Sequence, residues 1–219
     1  MKRPVLISRH FAAAIRRFQQ EERGATLVEF ALSISLMLFL LLGIIDFGRM
    51  AFHYVAAEKF VQHAARIAAV RPPACAGVPE TYQRGPSGEQ PRFGTSCRAG
   101  QGICANPGPI VCTATPDDPT SVEIWEFLRV ALPEDATMSN VVFRYDFDPE
   151  LGFLGGPYVP IVTVELTGLT FDFIAPLSEL AALIIGQTTN ETDALGGSIA
   201  FPALSASVPG EDLALGTNG

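Results

Sequence analysis

Basic side chains are scarce in this chain beyond its first two dozen residues, and histidine occurs at only three positions. Nucleic-acid binding needs clustered Lys and Arg to neutralise phosphate, so the sparse, acidic remainder argues against nucleic acid as a partner. Zinc is disfavoured as well: no Cys-x-x-Cys pair occurs and no His lies near the cysteines. His53 and His63 stand ten apart, poor spacing for two ligands on one helix face, and read as surface or packing residues. Gly-x-Ser-x-Gly, His-Glu-x-x-His and a phosphate-binding glycine loop are all missing. Neither a catalytic constellation nor a cofactor is therefore expected. Asp146-x-Asp148 puts two carboxylates on one strand face, a pattern open to a divalent cation. A solvated strand face explains the pair as well, and no metal site is expected.

What is present is lopsided. Residues 1–24 hold Lys2, Arg3, Arg9, Arg16, Arg17 and Arg23 against Glu21 and Glu22, a net charge of +4. The whole chain is at −8, which leaves −12 for residues 25–219. From Ala25 to Ile45 the sequence is apolar except for one charge, Glu29. At 1.5 Å per residue such a helix spans roughly 30 Å, about the thickness of a bilayer's hydrocarbon core. Because Lys and Arg are retained in the cytoplasm, the basic leader stays inside and the acidic remainder lies outside. A cleaved secretory signal would be shorter and would end in a small-x-small site. Asp46-Phe47-Gly48-Arg49-Met50 offers none, so the segment is expected to be retained.

Glu29 is the anomaly in this run. An ionised carboxylate in hydrocarbon costs on the order of 2–3 kcal/mol at a helix centre and less near the interface. It stands one turn into the helix, five positions after Gly24, with Arg23 before that glycine and Phe30 after the acid. This pattern resembles the processing site of type IV prepilins, which a prepilin peptidase cuts after the glycine. The resemblance implies that Gly24 ends a leader, that Ala25 is the mature N-terminus, and that Glu29 serves recognition and pairs with a neighbouring N-terminal amine. Gly24 suits such a site physically, since it has no side chain to obstruct a protease at its backbone.

The longer block Gly24–Leu32, then Leu42-Gly43-Ile44-Ile45-Asp46-Phe47-Gly48-Arg49, followed by an Ala-rich stretch with Ala56-Ala57 and Ala64 through Ala69, is similar to TadE-like pseudopilins of tight-adherence (Tad, or Flp) pilus systems. The similarity covers residues 22–71. It implies a membrane-exit motif at Asp46, Phe47, Gly48 and Arg49, where Asp stands at a position often held by Glu. The partners it implies are the prepilin peptidase, other pilin-like subunits, the pilus assembly machinery and the membrane. Gly43, Gly48, Ser33 and Ser35 are small positions suited to close helix packing.

No proline interrupts residues 25–71, and Pro72-Pro73 ends the helical pattern. Phe47, Ala51, Tyr54, Val61, Ala65 and Ala68 recur at helical spacing and predict an apolar stripe on which a domain packs. Residues 72–120 are rich in Gly and Pro and contain Cys75, Cys97, Cys104 and Cys112. In an oxidising compartment two disulfides are the natural ties for such a loop. Three pairings remain open; Cys75–Cys97 with Cys104–Cys112 is preferred. Ser121 is expected to open a short helix, with Ile124, Phe127, Leu128 and Ala131 on one face and Pro133 beyond its end.

Strand patterns follow. Phe143, Tyr145 and Phe147 alternate with charges, and Val162, Val164 and Leu166 alternate with polar residues before a bulge at Gly168. Leu169, Phe171 and Phe173 resume the core face, and a last strand is expected in 198–208. Leu177–Ile185 is apolar but too short to span a membrane, and reads as core helix or contact surface. Asn190-Glu191-Thr192 matches a glycosylation pattern that matters only in a eukaryotic secretory route.

The fold class expected is α+β: a long N-terminal transmembrane helix extended into a small extracytoplasmic domain with an antiparallel sheet and a disulfide-tied loop. The divisions are a cytoplasmic leader at 1–24, a span at 25–45, a helix extension at 46–71 and the domain at 72–219. The resemblance implies a minor pseudopilin of the bacterial inner membrane acting in pilus assembly for surface attachment. The rival reading is an unprocessed, membrane-anchored envelope binding module.

Overall fold

A computed structural model describes residues 24–87, 90–173, 198–211 and 213. Helix α1 runs over Ala25–Val70. Strand β1 is Ile110–Thr113, helix α2 is Pro119–Leu128, and five further strands follow. These are β2 Val141–Asp146, β3 Ile161–Leu166, β4 Thr170–Asp172, β5 Ser198–Ala200 and β6 Leu204–Pro209. The chain divides into two compact units, with the boundary between Gly48 and Arg49. The fold class is the α+β arrangement expected.

In the first unit α1 exposes nearly every described residue from Thr26 to Ile45. It is the one helix among the described residues long and apolar enough to cross a membrane. Apolar side chains on all sides of a helix leave it no polar face to present to water.

In the second unit a four-stranded antiparallel sheet has the order β1-β2-β3-β6. Its register pairs Phe143 with Val164 and Tyr145 with Val162, and Val164 with Ala206. The period of two puts Val141, Phe143, Tyr145, Val162, Val164 and Leu166 on one buried face. That face shares its core with Ala57, Val61, Ala64 and Ala68 of α1 and with Ile124 and Leu128 of α2. Small alanines bring the α1 backbone close to the sheet, and the large β2 and β3 side chains fill the space between. The opposite face is polar, with Thr163 and Ser207 hydroxyls 2.8 Å apart and Arg144 bonded to Asp146 at 2.6 Å.

The α1 stripe is rotated from the one expected. Val61, Ala65 and Ala68 are buried, but Phe47, Ala51 and Tyr54 are exposed. The buried face instead continues backwards through Ala57, with Met50 and His53 half-buried. The face that meets the core runs through Met50, His53 and Ala57 rather than through Phe47, Ala51 and Tyr54. His63 is exposed beside the Phe127 ring, 6.1 Å between centroids.

Helix α2 begins two residues earlier than expected. Asp118 is its N-cap, accepting from the Ser121 N–H at 2.6 Å, and Pro119 occupies the first turn. Both choices satisfy the local rules: the carboxylate takes an orphan donor, and Pro lacks the N–H that would be orphaned. Ile124, Leu128 and Ala131 are buried as expected, and Phe127 stacks on Phe60 at 4.7 Å.

Gly168 does not form a bulge within one strand. With φ +67° it turns the chain out of the large sheet, and β4 pairs with β5 in a separate two-stranded sheet. The expected last strand is likewise two strands, β5 in the small sheet and β6 in the large one. Strand β1 lies inside the stretch read as loop; its exposed Val111 and half-buried Ile110 and Cys112 match an edge strand with only four residues of alternation. Leu177–Ile185 and the Asn190 pattern lie outside the described residues.

The two disulfides are Cys75–Cys112 and Cys97–Cys104, which corrects the preferred pairing. Cys112 sits opposite Phe143 in the β1–β2 ladder. The chain leaving α1 is pinned over β2 because the Ala74 N–H donates to Tyr145 Oη at 3.0 Å. That places Cys75 beside Cys112. Cys97 and Cys104 instead join a second small core with Tyr82, Leu154 and Tyr158. A ladder of backbone bonds secures it, including Tyr82 N–H to Gly156 O at 2.9 Å and Leu154 N–H to Thr95 O at 2.9 Å. Gly152, at φ +75°, is required there: an added Cβ would fall 2.0 Å from the Tyr82 ring.

Candidate membrane and assembly site

Gly24 immediately precedes α1, is exposed, and has open space where a Cβ would stand. Ala25 is the first residue of α1. Glu29 lies four residues further on, one turn or about 6 Å along the axis. Glu29 and Phe30 are both exposed on a helix whose neighbours are apolar. The Ser35 hydroxyl donates to the Ala31 carbonyl at 2.8 Å, so this polar side chain is satisfied within the helix.

The four residues at the other end of the apolar run differ sharply from one another. Asp46 is buried, at 2% exposure, whereas Phe47 and Gly48 are exposed. In the second unit, the Arg49 guanidinium lies 5.4 Å from the centre of the Phe171 ring. His53 Nδ1 is 3.1 Å from the Ala131 carbonyl, and its ring is 6.0 Å from that of Phe171. Arg49, His53, Glu134, Asp135, Phe171 and Asp172 border a cavity of about 310 Å³. The Arg49–Phe171 contact joins residues 122 positions apart, and no sequence signal announced it.

Elsewhere in the second unit several ionisable groups are paired or buried. Arg71 donates twice to the Glu123 carboxylate, at 2.9 Å each, linking the chain just past α1 to α2. The Arg71 guanidinium holds Glu123 below the usual carboxylate range. Burial pushes the Tyr145 and Tyr158 phenols up to about 12. Asp146 and Asp148 have separate partners: Asp146 accepts from Arg144, and Asp148 accepts from the Glu150 N–H at 2.9 Å in a local turn. Among the described residues no group of three or more metal-ligating side chains occurs.

A long, outwardly apolar N-terminal helix with an acid one turn from its start, leading into a disulfide-bonded unit, makes this an α+β chain with one candidate membrane span among the described residues. Residues 24–66 match the family model described as TadE-like protein, so over that stretch the chain is similar to TadE-like proteins. No curated protein and no solved structure matches the chain.

Proposed function

We propose that this protein is a minor pseudopilin, cut after Gly24 by a prepilin peptidase and acting in assembly of a tight-adherence pilus for surface attachment. The carrying observation is that the TadE-like match begins at Gly24 and includes an exposed Glu29 one turn into the apolar helix. Cleavage creates an α-amine at Ala25, a cation at the membrane face. The Glu29 carboxylate of an adjacent subunit neutralises it, which couples processing to helix docking. The leader 1–24 is cytoplasmic, 25–45 spans the inner membrane, 46–71 extends the helix, and 72–219 form the extracytoplasmic domain. The leader's net positive charge supports that orientation, as do two disulfides on the far side. The role proposed is structural, with other pilin-like helices as partners.

Mass spectrometry of the native N-terminus tests the reading. A chain starting at Ala25 is expected; a chain retaining Met1 favours the unprocessed binding module instead. Glu29→Ala is expected to insert normally yet be processed or assembled poorly. Normal filaments from that variant would remove the role given to Glu29.

A further inference from the structure

The small core of Tyr82, Leu154 and Tyr158 has a cavity beside it, of about 500 Å³, inside the usual range of small-ligand sites. Phe147, Arg98, Gln101, Asn106 and Glu150 line it around the Cys97–Cys104 disulfide. Its walls are fixed by backbone bonds. The Gly85 N–H donates to the Ile103 carbonyl at 2.9 Å, the Ser87 N–H to that of Gly102 at 3.0 Å, and the Ala105 N–H to that of Gln83 at 2.8 Å. The Cys97 N–H adds a bond to the Gly152 carbonyl at 3.2 Å. Walls tied in this way lose little freedom when the cavity is filled. The fold does not use the polar side chains there. Arg98 and Glu150 are exposed, and among the described residues neither forms an ion pair, with the other or with a third group. The Gln101 amide has no hydrogen-bond partner among the described residues either. Asn106 accepts the Gly108 N–H at 2.8 Å through its carbonyl oxygen, which leaves its NH₂ group as a donor. Phe147 is half-buried, edge-on to the Tyr82 ring at 6.1 Å between centroids.

We propose that this cavity binds an uncharged carbohydrate, a pyranose unit of a glycan. Its lining holds one cation and one anion, so an anionic ligand meets Glu150 and a cationic one meets Arg98. A purely apolar ligand fails differently, because it strips water from both charges and returns no hydrogen bond. A sugar hydroxyl both donates and accepts. Neighbouring hydroxyls of one ring therefore serve the guanidinium and the carboxylate together, and charged partners make the stronger hydrogen bonds. Gln101 and the Asn106 NH₂ group add neutral partners of the same kind. The C–H face of a pyranose is apolar and weakly positive, which suits the negative face of the Phe147 ring. Such a glycan has two sources, the cell's own envelope or a surface to which the cell attaches. The inference concerns the second unit alone and requires neither the membrane span nor cleavage at Gly24.

Isothermal titration calorimetry tests this on the full chain, held in a detergent without a sugar headgroup. The probes are tetrasaccharides of glucose, galactose, mannose and N-acetylglucosamine. Expected is saturable binding of at least one of them, with a Kd of roughly 1 mM or tighter. Arg98→Ala and Glu150→Gln should each weaken it by about tenfold or more, and Lys59→Ala, at an exposed site on α1, should not. Thermal unfolding should be unchanged in all three, since the side chains altered are exposed. Because the ligand is uncharged, added salt should leave the affinity as it is. Preference for N-acetylglucosamine supports the proposal with an envelope glycan as ligand, and preference for a hexose supports it with an external one. Failure of all the tetrasaccharides to bind at about 10 mM overturns the proposal. Binding that both pocket variants retain also overturns it, because the sugar then lies elsewhere on the chain. So does binding of trialanine in place of the sugars, which means that Arg98 and Glu150 read the two charges of a peptide.

Discussion

Helix α1 is one element with two environments. Between Thr26 and Ile45 its side chains meet no protein core, and the stretch is long and apolar enough to cross a membrane. Between Ala57 and Ala68 the same helix has one face wholly buried, and the side chains there are small. In the membrane span proposed above, the first stretch tolerates any apolar residue, because lipid adapts to shape. The second does not, because a packed interior resists both voids and added volume. Composition marks the change: Leu, Ile and Phe dominate the first stretch, and Ala the second.

Breaking the second environment while sparing the first gives the largest effects. Removing Cys75–Cys112 by a double Ser substitution opens a loop of 37 residues and should cost about 4 kcal/mol of domain stability on chain-entropy grounds. Removing Cys97–Cys104, separated by 7, should cost about 2 kcal/mol. Denaturant unfolding in detergent, followed by near-ultraviolet circular dichroism, checks that order. The helix signal of the 26–45 segment should persist in both variants.

Alkaline pH supplies a second way to separate the halves. Burial holds the folded Tyr145 phenol at about 12, against an ordinary value of 10.0. The stability it contributes is full below pH 10 and is lost as pH rises through about 12. Two units correspond to roughly 2–3 kcal/mol. Domain unfolding should therefore become easier between those limits in the native protein, and less so in Tyr145→Phe. A flat profile in both would contradict the buried phenol.

Smaller still is the contrast within α1. Ala64→Leu forces extra volume between helix and sheet and should cost roughly 1–3 kcal/mol. Leu38→Ala, in the apolar run, should leave domain unfolding unchanged. Equal effects would erase the distinction between the two stretches. The smallest effect belongs to Glu123→Gln, because the Arg71–Glu123 pair is about half exposed. The depressed Glu123 value means its contribution is present above the ordinary carboxylate range and is lost as pH falls through the folded value. Acid titration of native and variant should differ only there, slightly.

Much of this was legible because it is local. The apolar run, the acid one turn inside it and the end of the helix at Pro72-Pro73 follow from hydropathy, spacing and the missing proline N–H. The alternations in 141–146 and 161–166 reveal their buried face in the same way. Asp118, the cap of α2, directly precedes Pro119 and is as good a local signal as Ser121. The rotation of the α1 stripe is not local, because apolar residues lie on more than one face of the helix between 47 and 57 and only packing selects the one that meets the core.

By itself the sequence determined where the long apolar helix begins and ends and which strand faces seek a core; both are properties of a few neighbouring residues. Tertiary structure alone decided the cysteine partners, the division of 161–172 and 198–209 between two sheets, and the contact of Arg49 with Phe171. Each of these depends on which distant segments pack together, and pairing across tens of residues is set by the shape of the assembled core rather than by any local pattern.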